Sequence, residues 1–390
     1  MNITFNKNNI IFSYLYYLFP SLIFFFNIYL RKINYLSVDQ KRSIQWIEGF
    51  QYQTYDLFRF IPYLIDQYRF EGIFFIIPLN LYSLAIYILN ENWFIIIILI
   101  NYLIFLISLF FLKQLFFSLN YNNLTILIFP FILCTNNDLI VWSAYTLPDF
   151  FSFCLFTLFF YYIINSKKKF YDYLTILLVL IISIFTRPTN FILILILFQS
   201  FFMFSTKFGN SFKYKFSGLI FIYLLSIIFI SLIFYLDYFP KILFPLFENT
   251  FQYYRSYFLE GAIIHHRFDT YVDSPLLYFD YVNIILLRLL YFFSFIHKDF
   301  SDMHNLYNLL YYIPIYGFGV YSLLNFKNFN YQEKKIIILM VVAILTFALF
   351  FSFTLIDYDW RYRINCNFCF SFLSFFGIKI FISSFLKKNS

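Results

Sequence analysis

The chain of 390 residues is 62% hydrophobic and only 12% charged, and its mean hydropathy is +0.73. Soluble domains carry about a quarter charged residues, so this composition excludes a soluble protein and predicts an all-α, polytopic membrane protein. The net charge of +8 comes from lysines and arginines near the ends of apolar segments. That placement orients membrane helices and does not indicate nucleic-acid binding.

Apolar segments run through the whole chain, and most are long enough to cross about 30 Å of hydrocarbon as helices. In chain order they are residues 10–30, 93–112, 124–141, 147–165, 173–186, 190–205, 217–236, 307–325, 336–356 and 366–386. Residues 70–90 and 281–296 are two further apolar segments. Both are expected to be interfacial or re-entrant, because the orientation set by the basic loops requires that neither crosses the membrane. Arg288 lies in the middle of the second, where a charge would be costly, so we expect an interfacial or re-entrant segment there. The predicted fold is a helical bundle of about 10–12 spans, forming one multi-span domain over residues 1–390.

Short basic loops predict the orientation of the spans. They contain the lysines at 167–169, 207–215, 327–335 and 387–388. Cytoplasmic loops carry such an excess of lysine and arginine, so both termini are predicted to lie inside. The polar clusters then fall on the other side, in a first outer loop at residues 31–69 and a long outer segment at residues 237–305. In a bacterium this would be the plasma (inner) membrane, with the functional face away from the cytoplasm.

The first outer loop contains a candidate catalytic carboxylate. Ser37 and Gln40 have the spacing of a capping box, so a helix is predicted from Val38. Asp39 would sit in its first turn, where the helix dipole favours a carboxylate. Every third residue of 44–50 is apolar, which predicts a helix lying on the membrane surface. Asp39 is therefore either a catalytic group held at the bilayer surface or merely a residue that caps its helix.

Two short motifs flank predicted spans. Pro148 and Asp149 begin one span, with proline in the first turn and an acid at the positive helix end, and helix-start chemistry explains both. Arg187 follows another span, and Pro188 breaks the helix behind it. Arg187 is predicted either to contact an anion or to extend its charge to the membrane interface.

The last outer loop, residues 357–363, reads Asp-Tyr-Asp-Trp-Arg-Tyr-Arg. Arg361 and Arg363, with aromatic residues beside them, suit a phosphate at the membrane interface. Alternatively, the acids and arginines of this loop pair with one another. Arginines on the outer face oppose the usual charge bias, which favours a functional role.

No cofactor is predicted, although a divalent metal stays possible. His265 and His266 are adjacent, so they cannot both face one metal from a regular helix, and no spaced carboxylate accompanies them. Patterns typical of nucleotide-binding loops, serine hydrolases and zinc proteases are absent from the sequence. The four cysteines lie in apolar segments and are predicted to be packing residues: Cys134, Cys154, Cys366 and Cys369.

Taken in order, these motifs resemble the GT-C superfamily of integral-membrane glycosyltransferases, which includes protein O-mannosyltransferases and the bacterial aminoarabinose transferase of lipid A. The shared features are an acid and two surface helices in the first outer loop, Pro-Asp at a span start, Thr-Arg-Pro at a span end, and a late Arg-Tyr-Arg. Here they are Asp39 with helices at 38–50 and 57–68, then residues 148–149, 186–188 and 361–363.

The resemblance implies a polyprenyl-phosphate-linked sugar as donor and a lipid, glycan or protein as acceptor. Asp39 would take the proton from the acceptor hydroxyl as general base. Arg361 and Arg363, with Arg187, would bind the departing lipid phosphate, and Asp149 is grouped with these substrate-binding residues.

Two other functions stay open. A polysaccharide polymerase of the O-antigen type would also use outer arginines, but would not need Asp39. A flippase or other transporter of lipid-linked sugars would need polar residues along a path through the membrane. The predicted spans offer few such residues beyond Asn101, Gln199 and scattered serines and threonines.

Overall fold

The structure, a computed structural model, describes residues 7–30, 77–78, 81, 93–136, 139, 148–166, 170–204, 212–237, 248–265, 267–298, 300–354 and 363–388. Within these ranges the chain forms twelve α-helices and no strand, which confirms the predicted all-α fold of a polytopic membrane protein. The helices are α1 Lys7–Leu30, α2 Trp93–Ser118, α3 Asn123–Cys134, α4 Pro148–Asn165, α5 Phe170–Ile184, α6 Ile192–Phe204, α7 Phe212–Leu236, α8 Glu248–Leu259, α9 Tyr278–Phe292, α10 Asp302–Leu324, α11 Tyr331–Phe353 and α12 Ile364–Lys388.

Nine of the described helices are apolar in the manner of membrane helices. Five contain segments long enough to cross a bilayer, namely Ile97–Ser118, Pro148–Asn165, Lys215–Leu236, Tyr331–Phe353 and Ile364–Phe385. Four are shorter: Tyr14–Phe26, Asn123–Cys134, Phe170–Ile184 and Thr189–Met203. Helix α10, predicted as a span, is not among these nine, because its first two turns carry polar residues such as Asp302 and Asn308. Neither is α9, the helix that contains Arg288.

Local capping chemistry fixes where several helices begin. Helix α3 starts after Asn122, whose side-chain oxygen accepts a hydrogen bond from the backbone N–H of Thr125 at 2.8 Å. Before α11, Asn330 and Glu333 form a reciprocal capping pair, with each side chain accepting from the other residue's backbone N–H at 2.9 and 3.1 Å. Such caps satisfy backbone donors that a helix start otherwise leaves unpaired.

The described residues group into two compact units. Unit 1 takes its residues from 1–193, 311–340 and 367–390, and unit 2 from 194–310 and 341–366. The core of unit 1 is aromatic: the rings of Phe129 and Phe372 lie 4.5 Å apart and those of Phe116 and Phe375 lie 4.8 Å apart. All four side chains are fully buried. Aromatic packing thus joins α2, α3 and α12 within this unit.

Unit 1 has two distinct ends. The Ser118 hydroxyl donates to the side-chain oxygen of Asn165 at 2.9 Å, so α2 and α4 finish at the same end. The Ser108 hydroxyl contacts the carbonyl of Cys154 at 3.3 Å, as expected for two parallel helices. Asp149 at the start of α4 therefore lies at the opposite end from Asn165 and from the predicted cytoplasmic lysines that follow it.

Two predicted features of the organisation stay predictions. Residues 31–69, with the proposed surface helices of the first outer loop, lie outside the described residues. The single domain over residues 1–390 and the count of 10–12 spans are likewise not decided by the helices that the structure describes.

Candidate functional site: a buried ion pair and its polar neighbours

Asp149 and Arg187, selected from the sequence as separate motifs, meet in unit 1. The Nη1 atom of Arg187 forms an ion pair with Oδ1 of Asp149. Only 3% of Asp149 and 6% of Arg187 is exposed. Charges are rarely buried to this extent unless they are paired, because the desolvation of each ion costs several kcal/mol. The pair therefore brings the Pro-Asp and Thr-Arg-Pro motifs into direct contact.

A second polar contact joins the same two segments, about one helical turn after the ion pair. The Ser152 hydroxyl donates to Oδ1 of Asn190 at 2.9 Å, and Nδ2 of Asn190 donates to the backbone carbonyl of Ser183 at 2.7 Å. Ser152 is three residues after Asp149, and Asn190 is three residues after Arg187. All of these side chains are buried. Asn190 thereby ties α4 to the end of α5.

The chain between α5 and α6 is shaped so that Arg187 points at α4. Helix α5 ends at Ile184, and Arg187 follows in an extended conformation with φ −157° and ψ 131°. Pro188 then begins a short 3₁₀ helix, Pro188–Phe191, where its missing N–H is not needed. The carbonyl of Arg187 accepts the backbone N–H of Asn190 at 3.0 Å, which closes this turn.

The position of Asp149 suits a carboxylate independently of Arg187. It lies in the first turn of α4, where the partial positive charge of the helix end favours an anion. The arginine then adds a full positive charge. Asp149 thereby neutralises the buried guanidinium within the fold, and contact of Arg187 with an anionic ligand stays a prediction.

A different polar cluster occupies the other end of unit 1. Glu333, which is buried, accepts hydrogen bonds from the Tyr121 hydroxyl and from Nζ of Lys379. The ammonium of Lys379 also lies 4.3 Å from the centre of the Tyr121 ring. Burial and the bond to Glu333 raise the pKa of Tyr121, so it stays a neutral donor. The cluster joins the α2–α3 turn to α11 and α12.

Arg363, predicted to bind phosphate, is placed in unit 2 at the start of α12. Its side chain is buried, and its Nη1 atom donates to the carbonyl of Ser294 and, at 3.5 Å, to that of Phe292. Phe292 is the last residue of α9 and Ser294 follows the C-cap, so the guanidinium lies at the helix end where the dipole favours a cation. In this structure Arg363 therefore holds the segment after α9, and its predicted contact with a phosphate stays a prediction.

Arg288 occupies the interior of the same unit. Its Nε and Nη2 atoms donate to the carbonyl of Ala262 at 2.8 and 2.6 Å, and Nη1 donates to that of Thr354 at 3.0 Å. The guanidinium also lies 4.0 Å above the ring of Phe258. Burial lowers the pKa of Arg288 to about 9. This arginine joins three segments of unit 2 through backbone carbonyls, a role that its position in an apolar segment did not predict.

The segment after α9 also contains a buried histidine. Nδ1 of His297 lies 3.1 Å from Nη1 of Arg267, so it accepts the bond and the ring is neutral. Burial, and then the charge of Arg267, lower the pKa of His297. Asp269 pairs with Arg267 at 3.2 Å and with Lys298 at 2.7 Å, and the bond from Lys298 contributes most to lowering the Asp269 pKa to about 2.

Two of the predicted site residues are not described by the structure. Asp39 and Arg361 lie outside the part of the chain that the structure describes, so their roles stay predictions. Within the described residues, no group of three or more histidine, cysteine or acidic side chains is placed to hold a metal ion. Four cysteines form no disulfide among themselves and are buried, in agreement with packing roles: Cys134, Cys154, Cys366 and Cys369.

No protein-family model matches this chain, and comparison with curated proteins and with solved structures finds no match.

Sequence reasoning missed Ser152 and Asn190 as members of the site. A signal was present, since each is three residues from one of the flagged charges and so shares its side of the turn. It also missed the cluster around Glu333 and the backbone contacts of Arg363. Those depend on partners from distant parts of the chain, which no local pattern specifies.

Proposed function

We propose that this chain is a membrane glycosyltransferase that moves a sugar from a polyprenyl-phosphate donor to an acceptor hydroxyl on the non-cytoplasmic face. The observation that supports the proposal most is the ion pair between Asp149 and Arg187. Two motifs that the resemblance to GT-C enzymes singles out at separate places in the sequence lie together at one helix end. That end is opposite the one followed by the predicted cytoplasmic lysines.

In the proposed mechanism, Asp39 accepts the proton of the acceptor hydroxyl as its oxygen attacks the anomeric carbon. The bond between that carbon and the donor phosphate oxygen breaks, and the negative charge that develops on the phosphate needs cations nearby. Arg361, Arg363 and Arg187 are the proposed cations. Asp149 would be a positioning residue that sets the direction of the Arg187 side chain. No metal is required for these steps, although a divalent ion at the phosphate stays compatible with them.

Transport of a lipid-linked sugar receives less support. Gln199, one of the few polar residues predicted within a span, accepts a hydrogen bond from the Thr346 hydroxyl at 2.8 Å. Thr346 in turn lies 2.7 Å from the Tyr223 hydroxyl. These residues satisfy one another and hold α6, α7 and α11 of unit 2 together, as polar groups commonly do between membrane helices. Their arrangement does not favour a polar transport path.

The test is sugar transfer in membrane vesicles that contain the full chain at matched levels. Polyprenyl-phosphate hexoses and pentoses serve as donors, and transfer of label to lipid, glycan and protein fractions is measured. Asp39→Asn should lower kcat about a hundredfold or more, whereas Arg361→Ala should weaken donor use. Asp172→Asn, which also changes an acid in a first helical turn, should leave transfer unchanged.

Two outcomes would count against this proposal. If Asp39→Asn keeps full activity while Arg361→Ala abolishes it, the polymerase function moves ahead. If wild-type vesicles transfer none of the donor sugars but change the leaflet in which a lipid-linked sugar is found, the chain is a transporter.

A further inference from the structure

Three large apolar side chains project from unit 2 just where α9 begins. Leu276 is 82% exposed, Leu277 is 66% exposed and Phe279 is 77% exposed. Single exposed apolar residues are common, but a cluster of three adjacent in the chain indicates a binding surface.

The backbone of this segment is held in a defined shape. One carboxylate oxygen of Asp280 accepts the backbone N–H groups of Leu276 and Leu277, at 3.0 and 2.8 Å. Pro275, just before them, is buried. The exposed side chains therefore sit on a capped, preorganised helix start, and the tip comprising residues 276–279 presents them in a fixed arrangement.

A hydrogen bond shows how far along α7 this tip reaches. The Tyr278 hydroxyl donates to the backbone carbonyl of Ile228 at 2.9 Å. Ile228 is eight residues before the end of the apolar segment Lys215–Leu236, which at a rise of 1.5 Å per residue is about 12 Å inside that end. The Tyr278 side chain thus contacts α7 within its membrane-spanning segment.

Ring contacts also place the start of α9 beside α7. Tyr235 lies 6.1 Å from the ring of Tyr278 and 5.9 Å from that of Tyr281. Farther along, Arg288 stacks on Phe258, whose ring lies 4.3 Å from that of Phe234 near the end of α7. The start of α9 therefore lies beside the C-terminal turns of α7.

The surface of α7 beside the tip is also apolar and open. Ile228 and Phe229 are both more than half exposed, and so are other residues along α7: Phe221, Ile222, Leu224 and Leu236. A helix this apolar that exposes such side chains faces lipid. The tip lies next to that lipid-facing surface, because Tyr278 is bonded to α7 there.

We propose that residues 276–279 insert into the hydrocarbon of the leaflet next to the C-terminal end of α7, so that α8, the following loop and α9 are anchored to the bilayer surface. The partner is the acyl-chain region of the membrane. Asp280, the nearest charge on the same helix start, has its carboxylate bonded to two backbone N–H groups, which reduces the cost of holding it near the interface. This inference does not depend on the proposed glycosyl transfer.

The test uses the full chain in phospholipid vesicles, with a nitroxide label on a single introduced cysteine. Leu276→Cys, Leu277→Cys and Phe279→Cys sample the tip. Phe229→Cys in α7 provides the lipid reference and Lys298→Cys the water reference. The four native cysteines are buried, and labelled wild-type chain gives the background. Because all five positions are exposed, the substitutions remove little packing.

The measured quantity is the ratio of label collisions with oxygen, which concentrates in lipid, to collisions with a water-soluble nickel chelate. At the tip we expect a ratio close to that of the α7 reference and several times that of the water reference. A ratio equal to the water reference at all three tip positions would overturn the proposal. Protection from both reagents would also overturn it, since a protein surface would then cover the tip.

Discussion

The buried pair between Asp149 and Arg187 makes a sharp prediction for Asp149→Asn. The substitution keeps the size and shape of the side chain but removes its charge. The guanidinium of Arg187 then stays in a site where only 6% of the residue is exposed, without the anion that compensates it. An uncompensated buried charge is far more costly than the loss of a surface ion pair.

The expected magnitude follows from that burial. Breaking a buried pair by removing one partner typically costs about 3–5 kcal/mol, which corresponds to a rise in the unfolding equilibrium constant of roughly two to three and a half powers of ten. The neutral amide keeps part of the hydrogen bonding, so the lower end of this range is the more reasonable expectation. The second variant, Asp149→Asn with Arg187→Gln, should regain stability relative to Asp149→Asn, because it leaves no unpaired charge.

The assay is reversible unfolding in detergent micelles by a denaturing detergent, followed by far-ultraviolet circular dichroism. Asp172→Asn is the matched control, since Asp172 also lies in the first turn of its helix but is only half-buried. There the loss of the helix-dipole interaction should cost only about 0.3–1 kcal/mol. An uncompensated buried charge is refuted if Asp149→Asn costs no more than this control, or if the double variant loses the sum of the two single losses.

Three further predictions concern packing and pH. Gly377→Ala should destabilise the chain by about 1–3 kcal/mol in the same assay, because the added Cβ would lie 2.0 Å from a backbone oxygen of α10. Gly319→Ala is the control. It should be neutral or stabilising, because its Cβ would lie 3.6 Å from the nearest atom. Arg288→Met should cost about 2–4 kcal/mol, since the buried carbonyl of Ala262 and the partly buried carbonyl of Thr354 lose their donor; a loss under about 1 kcal/mol would contradict this. Because the folded state lowers the pKa of His297, the stability contributed by its neutral ring should be complete above the ordinary histidine pKa of about 6.5. It should be lost as the pH falls through the lower folded-state pKa, where a protonated ring would face Arg267. After correction for the intrinsic exchange rate, amide protection in the following loop should decrease on acidification in wild type but not in His297→Gln. An equal decrease in both would exclude the imidazole as the cause.

The partner of Arg187 shows where reasoning from the sequence stops. The Thr-Arg-Pro motif predicted a helix end and a cation there, and the structure has both. Whether that cation meets a ligand or another residue depends on which helix packs against it. Ser152 and Asn190, separated by 38 residues, had no visible relation until α4 and α5 were placed side by side.

In unit 2, the partners of Arg363 and Arg288 were also not predictable from the sequence. Both were recognised as arginines in or beside apolar segments, where a charge needs a partner. Their observed partners are backbone carbonyls of Ser294, Ala262 and Thr354. Every residue has a carbonyl, so no side-chain pattern can predict which ones an arginine will reach.

By itself, the sequence determined that this is an all-helical membrane protein and, within a few residues, where most of its described helices lie. The cause is local: a run of apolar residues must satisfy its own backbone groups in a bilayer, and a helix does this within the segment. Only the tertiary structure decided that Asp149 faces Arg187, that Arg363 holds the end of α9, and that Tyr278 reaches Ile228. These contacts join parts of the chain that are distant in sequence, so their formation depends on how complete helices pack against one another.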